Sequence, residues 1–183
     1  MVILIGESGS GKSTILEELC KRGFEKAKNY TTRQKRVGEE NGQDMFFITK
    51  EEFETMWKNG ELLQRAEFNH EFYGISTDSL KENVACISIV KSVKDIKARA
   101  IELGKQDIPF LVCYIYVPEE ERIQRMQKRG DSKEAIQTRI EIDREKFQNV
   151  REVCDVVIEN KNLEEAVEKI LSNNFSRKTI AIW

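Results

Sequence analysis

The chain has 183 residues, enough for one domain with a real core, and 39% of them are hydrophobic, which argues against disorder. Lys and Arg total 30 against 32 Asp and Glu, and this near balance argues against a general nucleic-acid binder. No apolar run reaches the roughly 20 residues of a membrane span, and Val2-Ile3-Leu4-Ile5 follows Met1 with no basic stretch, so neither an anchor nor a signal peptide is expected. In chain order the pattern predicts a buried strand over 2–5, then a helix over 13–22 carrying Ile15, Leu16 and Leu19. From 31 to 80 the rhythm breaks into a turn cluster, a short run at 46–48, a helix over 51–58 and strands within 61–68 and 72–75. Regular alternation then resumes, with strands over 84–90, 110–117 and 153–158 and helices over 92–103, 119–129, 132–150 and 163–171. Strands separated by helices imply an α/β fold, a central parallel sheet with helices on both faces, interrupted by a small α+β insertion. The end of the chain, Ile-Ala-Ile-Trp183, reads as a docked strand or a frayed end.

Four cysteines, Cys20, Cys86, Cys113 and Cys154, lack CxxC spacing and histidine partners, and read as buried small hydrophobes in a reducing compartment. A cytoplasmic protein is therefore expected. The lone His70 reads as an exposed turn residue without a catalytic role.

The strongest motif is Gly6-Glu7-Ser8-Gly9-Ser10-Gly11-Lys12-Ser13, which fits GxxxxGK[ST] between a strand and a helix. Glycines let the backbone approach phosphate closely, and the exposed N–H groups with the helix N-terminus supply a fixed positive field. In this reading Lys12 reaches the β- and γ-phosphates of ATP, Ser13 offers its hydroxyl to Mg²⁺, and Thr14 completes the ATP-binding stretch. Such a loop serves ATPases, GTPases and kinases alike, but the guanine motif NKxD of small GTPases is missing: Asn160-Lys161 has no Asp at the required offset.

A second basic element opens the insertion. Arg33 and Arg36 lie three apart beside Thr32, two guanidinium forks near a hydroxyl, which suits a monophosphate clamp or an ordinary solvated loop. Further on, Arg125 and Arg129 share one helix face, and Arg139 follows across the turn at Gly130-Asp131, so three guanidinia could converge over a phosphate chain.

Together these segments resemble the guanylate kinase family. The stretch from Thr31 to Asp44 fits TTRxxRxGExxGxD, with Glu39, Gly42 and Asp44 in place, and Phe46-Phe47, Glu52-Phe53, Gly60-Glu61-Leu62-Leu63 and Tyr73-Gly74 follow in family order. The resemblance implies a three-layer P-loop nucleoside kinase fold: a core of 1–30, 81–117 and 151–175, a monophosphate-binding insertion over 31–80, and a helical lid over 118–150. It implies acceptor binding by Arg33, Arg36 and Tyr73, catalytic roles for Lys12, Arg125, Arg129 and Arg139, and Asn160 near the donor adenine. The implied reaction moves the γ-phosphoryl of ATP to GMP or dGMP with Mg²⁺, in a monomer or homodimer, without nucleic acid or membrane.

The departures from the family cluster at base recognition. Asn29 stands for a serine, Gln64 for the glutamate that reads guanine, Met45 for a phosphate-binding tyrosine and Ile75 for a small hydroxyl residue. Cys86-Ile-Ser-Ile-Val-Lys91 replaces a strand that ends in aspartates, and Lys35 replaces a proline. Donor chemistry is complete while base reading is altered, which leaves three alternatives: another phosphorylated acceptor, a silent binding module of the same fold, or a P-loop switch acting on nucleic acid.

Overall fold

The computed structural model describes residues 1–35, 39–43, 45–68 and 70–180; Arg36, Gly38, Asp44 and the last three residues, all used in the sequence reading, lie outside them. The elements in order are β1 Val2–Ile5, α1 Lys12–Lys21, β2 Glu25–Lys26, β3 Asn29–Thr31, β4 Phe46–Phe47, α2 Lys50–Lys58, β5 Ala66–Phe68 and β6 Glu71–Ile75. After them come β7 Val84–Ile87, α3 Val90–Glu102, β8 Leu111–Tyr116, α4 Glu119–Arg129, α5 Lys133–Lys146, β9 Val156–Glu159 and α6 Leu163–Ile180.

The apolar run of β1 is buried on both faces because it lies at the centre of a sheet ordered β2-β7-β1-β8-β9, every pair of which is parallel. Its alternate residues feed two cores. Ile3 and Ile5 face Val93, Ile96 and Ala100 of α3. Val2 and Leu4 face Ile15 and Leu19 of α1 and Ala166, Val167 and Ile170 of α6. Each of these buried Val, Leu and Ile side chains contributes about 1.5–3 kcal/mol, and the alanines less. The α/β reading with helices on both faces is what the chain adopts.

A second sheet, β4-β3-β6-β5, has antiparallel β3·β6 and β5·β6 pairs and a parallel β3·β4 pair. It begins at Asn29, inside the stretch assigned to the core from sequence. Over it, α2 starts from a capping box in which Thr49 and Glu52 bond each other's backbone, and buries Phe53 against Phe72 with ring centroids 5.5 Å apart. Helices α4 and α5 pack on each other around a small core of their own, Met126, Ile136 and Ile140 with Ile123 beside them.

Several boundaries differ from the sequence reading. The strand at 84 ends at Ile87, where Ser88 N–H makes the last ladder bond to Leu4 O, because the chain turns at once into α3, which starts at Val90 rather than 92. The helix expected over 132–150 stops at Lys146, and Val150–Glu152 forms a single 3-10 turn; β9 consequently starts at 156, not 153. Of the strand expected within 61–68 only Ala66–Phe68 forms, with Leu62 making an isolated bridge to Ser76. The last helix runs nine residues past its expected end, to Ile180. Two of the cysteines expected inside, Cys20 and Cys154, are only half-buried, whereas Cys86 and Cys113 are buried; none of the four is in a disulfide. His70 is exposed, at a turn with φ 61°. No described helix is long and apolar enough to cross a membrane.

Candidate active site

The loop between β1 and α1 stands at the C-terminal end of the central strand. Gly11, the residue before α1, has φ +89°, and a Cβ there would lie 2.5 Å from Asn160 Nδ2; Gly9, at φ +79°, would meet Arg122 O at 2.8 Å. Both positions therefore require glycine for conformation and for space. Asn160, expected near the donor base, is buried and donates from Nδ2 to Ser10 O at 2.8 Å, so it pins the loop from the end of β9. Ser10 is fully buried, while Ser13 and Thr14 are exposed at the start of α1.

Lys12 folds back over the loop. Its Nζ donates to Gly6 O at 2.7 Å, Glu7 O at 2.8 Å and Ser10 Oγ at 3.3 Å. Burial lowers its pKa to about 8; the charges of Arg122 and Arg129 push the same way, and Asp143 and Glu7 oppose. Glu7 accepts from the Tyr114 hydroxyl at 2.7 Å, and its second oxygen, Oε2, is buried without a hydrogen-bond partner. Burial, then that carboxylate, holds the Tyr114 hydroxyl well above its ordinary pKa.

Helices α4 and α5 touch the same loop. Asp143 of α5 accepts from Ser8 N–H at 2.7 Å, and Arg122 of α4, almost wholly buried, donates to Ser8 O at 3.2 Å and lies 3.6 Å from Asp143. Asp143, Arg122 and Tyr114 were not foreseen as site residues.

Two of the three arginines expected to meet a phosphate chain are held by an anion nearby in this conformation. Arg125 bonds Glu121 at 2.7 Å, one turn earlier, and Asn160 O at 2.8 Å. Arg129 grips Asp131 through two nitrogens. Arg139 is exposed. The hydrogen bond from Arg129 first, then the charges of Arg129 and Arg139, hold the Asp131 carboxyl below its ordinary pKa.

A cleft of about 570 Å³ runs from the loop to the second sheet. Gly6, Ser8 and Lys12 line one end, Asn29, Met45, Gln64, Tyr73 and Ile75 the other, with Ile87–Lys91 as floor and Asp143, Lys146 and Phe147 on the lid side. Arg33 is held bidentately by Glu39 at 2.8 and 2.7 Å, which raises its pKa, and it interacts with Tyr73. The hydroxyl of Thr32, expected beside the arginines as part of a clamp, is instead committed to β6, donating to Glu71 and accepting from Phe72 N–H. Asn29 is tied by its Nδ2 to Ala27 O at 3.0 Å. Gln64 is buried at 7% exposure, and its amide lies between Ser92 and Ser88.

Helix ends sort the charge. Of the six described α-helices, α2, α4, α5 and α6 carry acids in the first turn. The two that open toward the cleft, α1 and α3, carry none, so their positive ends face it without an internal counter-ion. Among the described residues no group of three or more His, Cys, Asp or Glu is placed to hold a metal ion by itself. The arrangement can neutralise a polyphosphate at one end and hold a flat, partly polar ligand at the other.

A family model described as guanylate kinase matches residues 1–175. A guanylate kinase of Wolbachia sp. subsp. Brugia malayi (strain TRS) is 34% identical over 178 residues, covering 94% of this chain and 90% of its own. One from Desulfitobacterium hafniense (strain Y51) is 33% identical over 177 residues, covering 94% and 87%. Among solved structures, the guanylate kinase from Anaplasma phagocytophilum superposes with a TM-score of 0.68 at 23% identity, over 97% of this chain and 85% of that one, a likeness of fold.

Proposed function

The chain belongs to the guanylate kinase family, and on that premise we propose that it transfers the γ-phosphoryl group of ATP to GMP or dGMP. The observation that carries this reading is the continuity of one cleft: Lys12 at its phosphate end and Gln64, Asn29 and Tyr73 at its far end line the same space. The relatives of this length are named for the same reaction.

Transfer is direct and in line, with no covalent intermediate, so catalysis is positioning and neutralisation of charge. Lys12 turns from the loop carbonyls to the β- and γ-phosphates. Arg125, Arg129 and Arg139 leave Glu121, Asp131 and solvent for the moving phosphoryl as α4 and α5 close. Closure also excludes water, the competing acceptor. Arg33, Arg36 and Tyr73 hold the acceptor phosphate, and Asn29 and Gln64 meet its base. Asn160 supports the donor site by fixing the loop.

Mg²⁺ fits as an ion that arrives with ATP. Ser13 is exposed at the mouth of α1, and a hydroxyl plus phosphates and water is the usual donor set for this cation, which needs no cage of carboxylates. Bound there, it would neutralise charge on the phosphates. Glu7 and Asp143 are the carboxylates that face Lys12.

The test is release of ADP with ATP, Mg²⁺ and GMP. Lys12→Ala is expected to lower kcat by about 10²–10³, the loss typical of one preorganised electrostatic group. Unchanged transfer in that variant would falsify the assignment.

A further inference from the structure

The base end of the cleft presents an amide where a ligand's ring would lie. Gln64 Nε2 donates to Ser92 Oγ at 3.0 Å, and Ser88 Oγ donates to Gln64 Oε1 at 3.4 Å. A primary amide has two N–H donors and two acceptor lone pairs. The serines take one of each, which leaves one donor beside one acceptor for the cleft. The two carboxylates that line the cleft are placed otherwise: Asp143 is bonded to the loop at Ser8, and the Glu67 side chain is 56% exposed, so water screens it.

Guanine has two hydrogen-bonding edges on its six-membered ring. One sets N1–H beside the 2-amino group, donor beside donor, and suits a carboxylate. The other sets the C6 carbonyl beside N1–H, acceptor beside donor, and suits an amide. Gln64 matches the second. Resting on the kinase reading above, we infer that this pocket reads the C6 carbonyl and N1–H of a 6-oxopurine and does not demand the 2-amino group, so that inosine 5′-monophosphate is an acceptor alongside GMP. The step is the same for both nucleotides. The bond from the γ-phosphorus to the β–γ bridging oxygen breaks, ADP leaves with the electron pair, and a P–O bond forms to an oxygen of the acceptor's phosphate dianion, giving the diphosphate. The 2-amino group of GMP then gains at most one neutral hydrogen bond, to Ser88 Oγ, which limits the preference for GMP to about tenfold.

The experiment measures kcat/KM and Kd for GMP and inosine 5′-monophosphate on the wild type and on Gln64→Glu. The wild type is expected to favour GMP by no more than about tenfold, and Gln64→Glu to raise that ratio at least another tenfold by weakening the inosine nucleotide. A wild-type preference of a hundredfold or more overturns the inference, with no variant needed, and leaves the kinase reading standing. Equal losses for both nucleotides in Gln64→Glu also overturn it, because a merely structural glutamine would behave that way. Equal binding of both without transfer overturns the kinase reading and, with it, the inosine nucleotide as an acceptor; binding of neither overturns both.

Discussion

Lys12 sits where protonation and ligand binding are coupled. In the free loop its ammonium satisfies two carbonyls and a hydroxyl, yet burial holds its pKa down to about 8. A polyphosphate beside it favours the charged form, so the pKa rises on binding. Between the two values the complex holds more protons than its parts. ATP binding measured by calorimetry near pH 8, in buffers of different ionisation enthalpy, is therefore expected to take up about half a proton per site. Affinity is expected to fall as pH rises past about 8, and a binding enthalpy that is the same in every buffer would contradict this account. The lysine and its glycines were legible because the loop is local: eight consecutive residues carry the geometry. Its partners were not, because Asp143 lies 135 residues from Ser8 and Tyr114 lies 107 from Glu7. A trace of Asp143 was nevertheless present in the sequence. It continues the stripe of Ile136 and Ile140 at helical spacing, as Arg122 precedes Met126, and a charge on a buried stripe asks for a partner.

Among the elements, α2 has the clearest mechanical duty. Its one buried residue, Phe53, holds it to β6 through Phe72, and β6 carries Tyr73 into the cleft. Phe53→Ala is expected to cost about 3–5 kcal/mol, seen as a lower melting temperature. It should also raise KM for the acceptor more than for ATP, since the loop and α1 rest on a separate core. Equal changes in both constants would show that the second sheet and the P-loop are not independent in this respect. The long apolar runs and helical stripes made the parallel sheet legible. What stayed hidden were β2 and β3, of two and three residues, and the ends at 88–90 and 147–155, where turns and 3-10 geometry rather than hydrophobic periodicity decide where an element stops. The far wall of the cleft was legible only in part for the same reason: Gln64 could be seen as a departure from a glutamate, but its two hydroxyl partners lie 24 and 28 residues away.

At the scale of the whole molecule, α4 and α5, the proposed lid, share a core of their own and are fastened to the loop before α1 through Asp143 and Arg122. Asp143→Asn removes the charge from that fastening and leaves the neighbouring guanidinium of Arg122 less well compensated. A loss of about 1–3 kcal/mol in stability is expected. Losing Asp143 also lowers the Lys12 pKa further, so the comparison belongs at a pH well below 8, where the lysine is charged in both proteins; there ATP is expected to bind more tightly to the variant, because one negative group fewer faces the phosphates. Thermal melting and calorimetry on one preparation measure both effects, and weaker ATP binding by the variant would contradict the account.

The contact between Asp143 and Ser8 N–H has a consequence for which anions the loop will accept. The chain supplies its own anion to one of the loop amides, so an incoming phosphate arrives as a competitor for a place already taken. Any ligand's apparent affinity is reduced by the share of molecules in which that place is held. A triphosphate can offset the exchange with contacts along the whole loop and the start of α1. A single inorganic phosphate or sulfate, with only a few such contacts, cannot, and the resting enzyme is thereby kept from being occupied by the small anions around it.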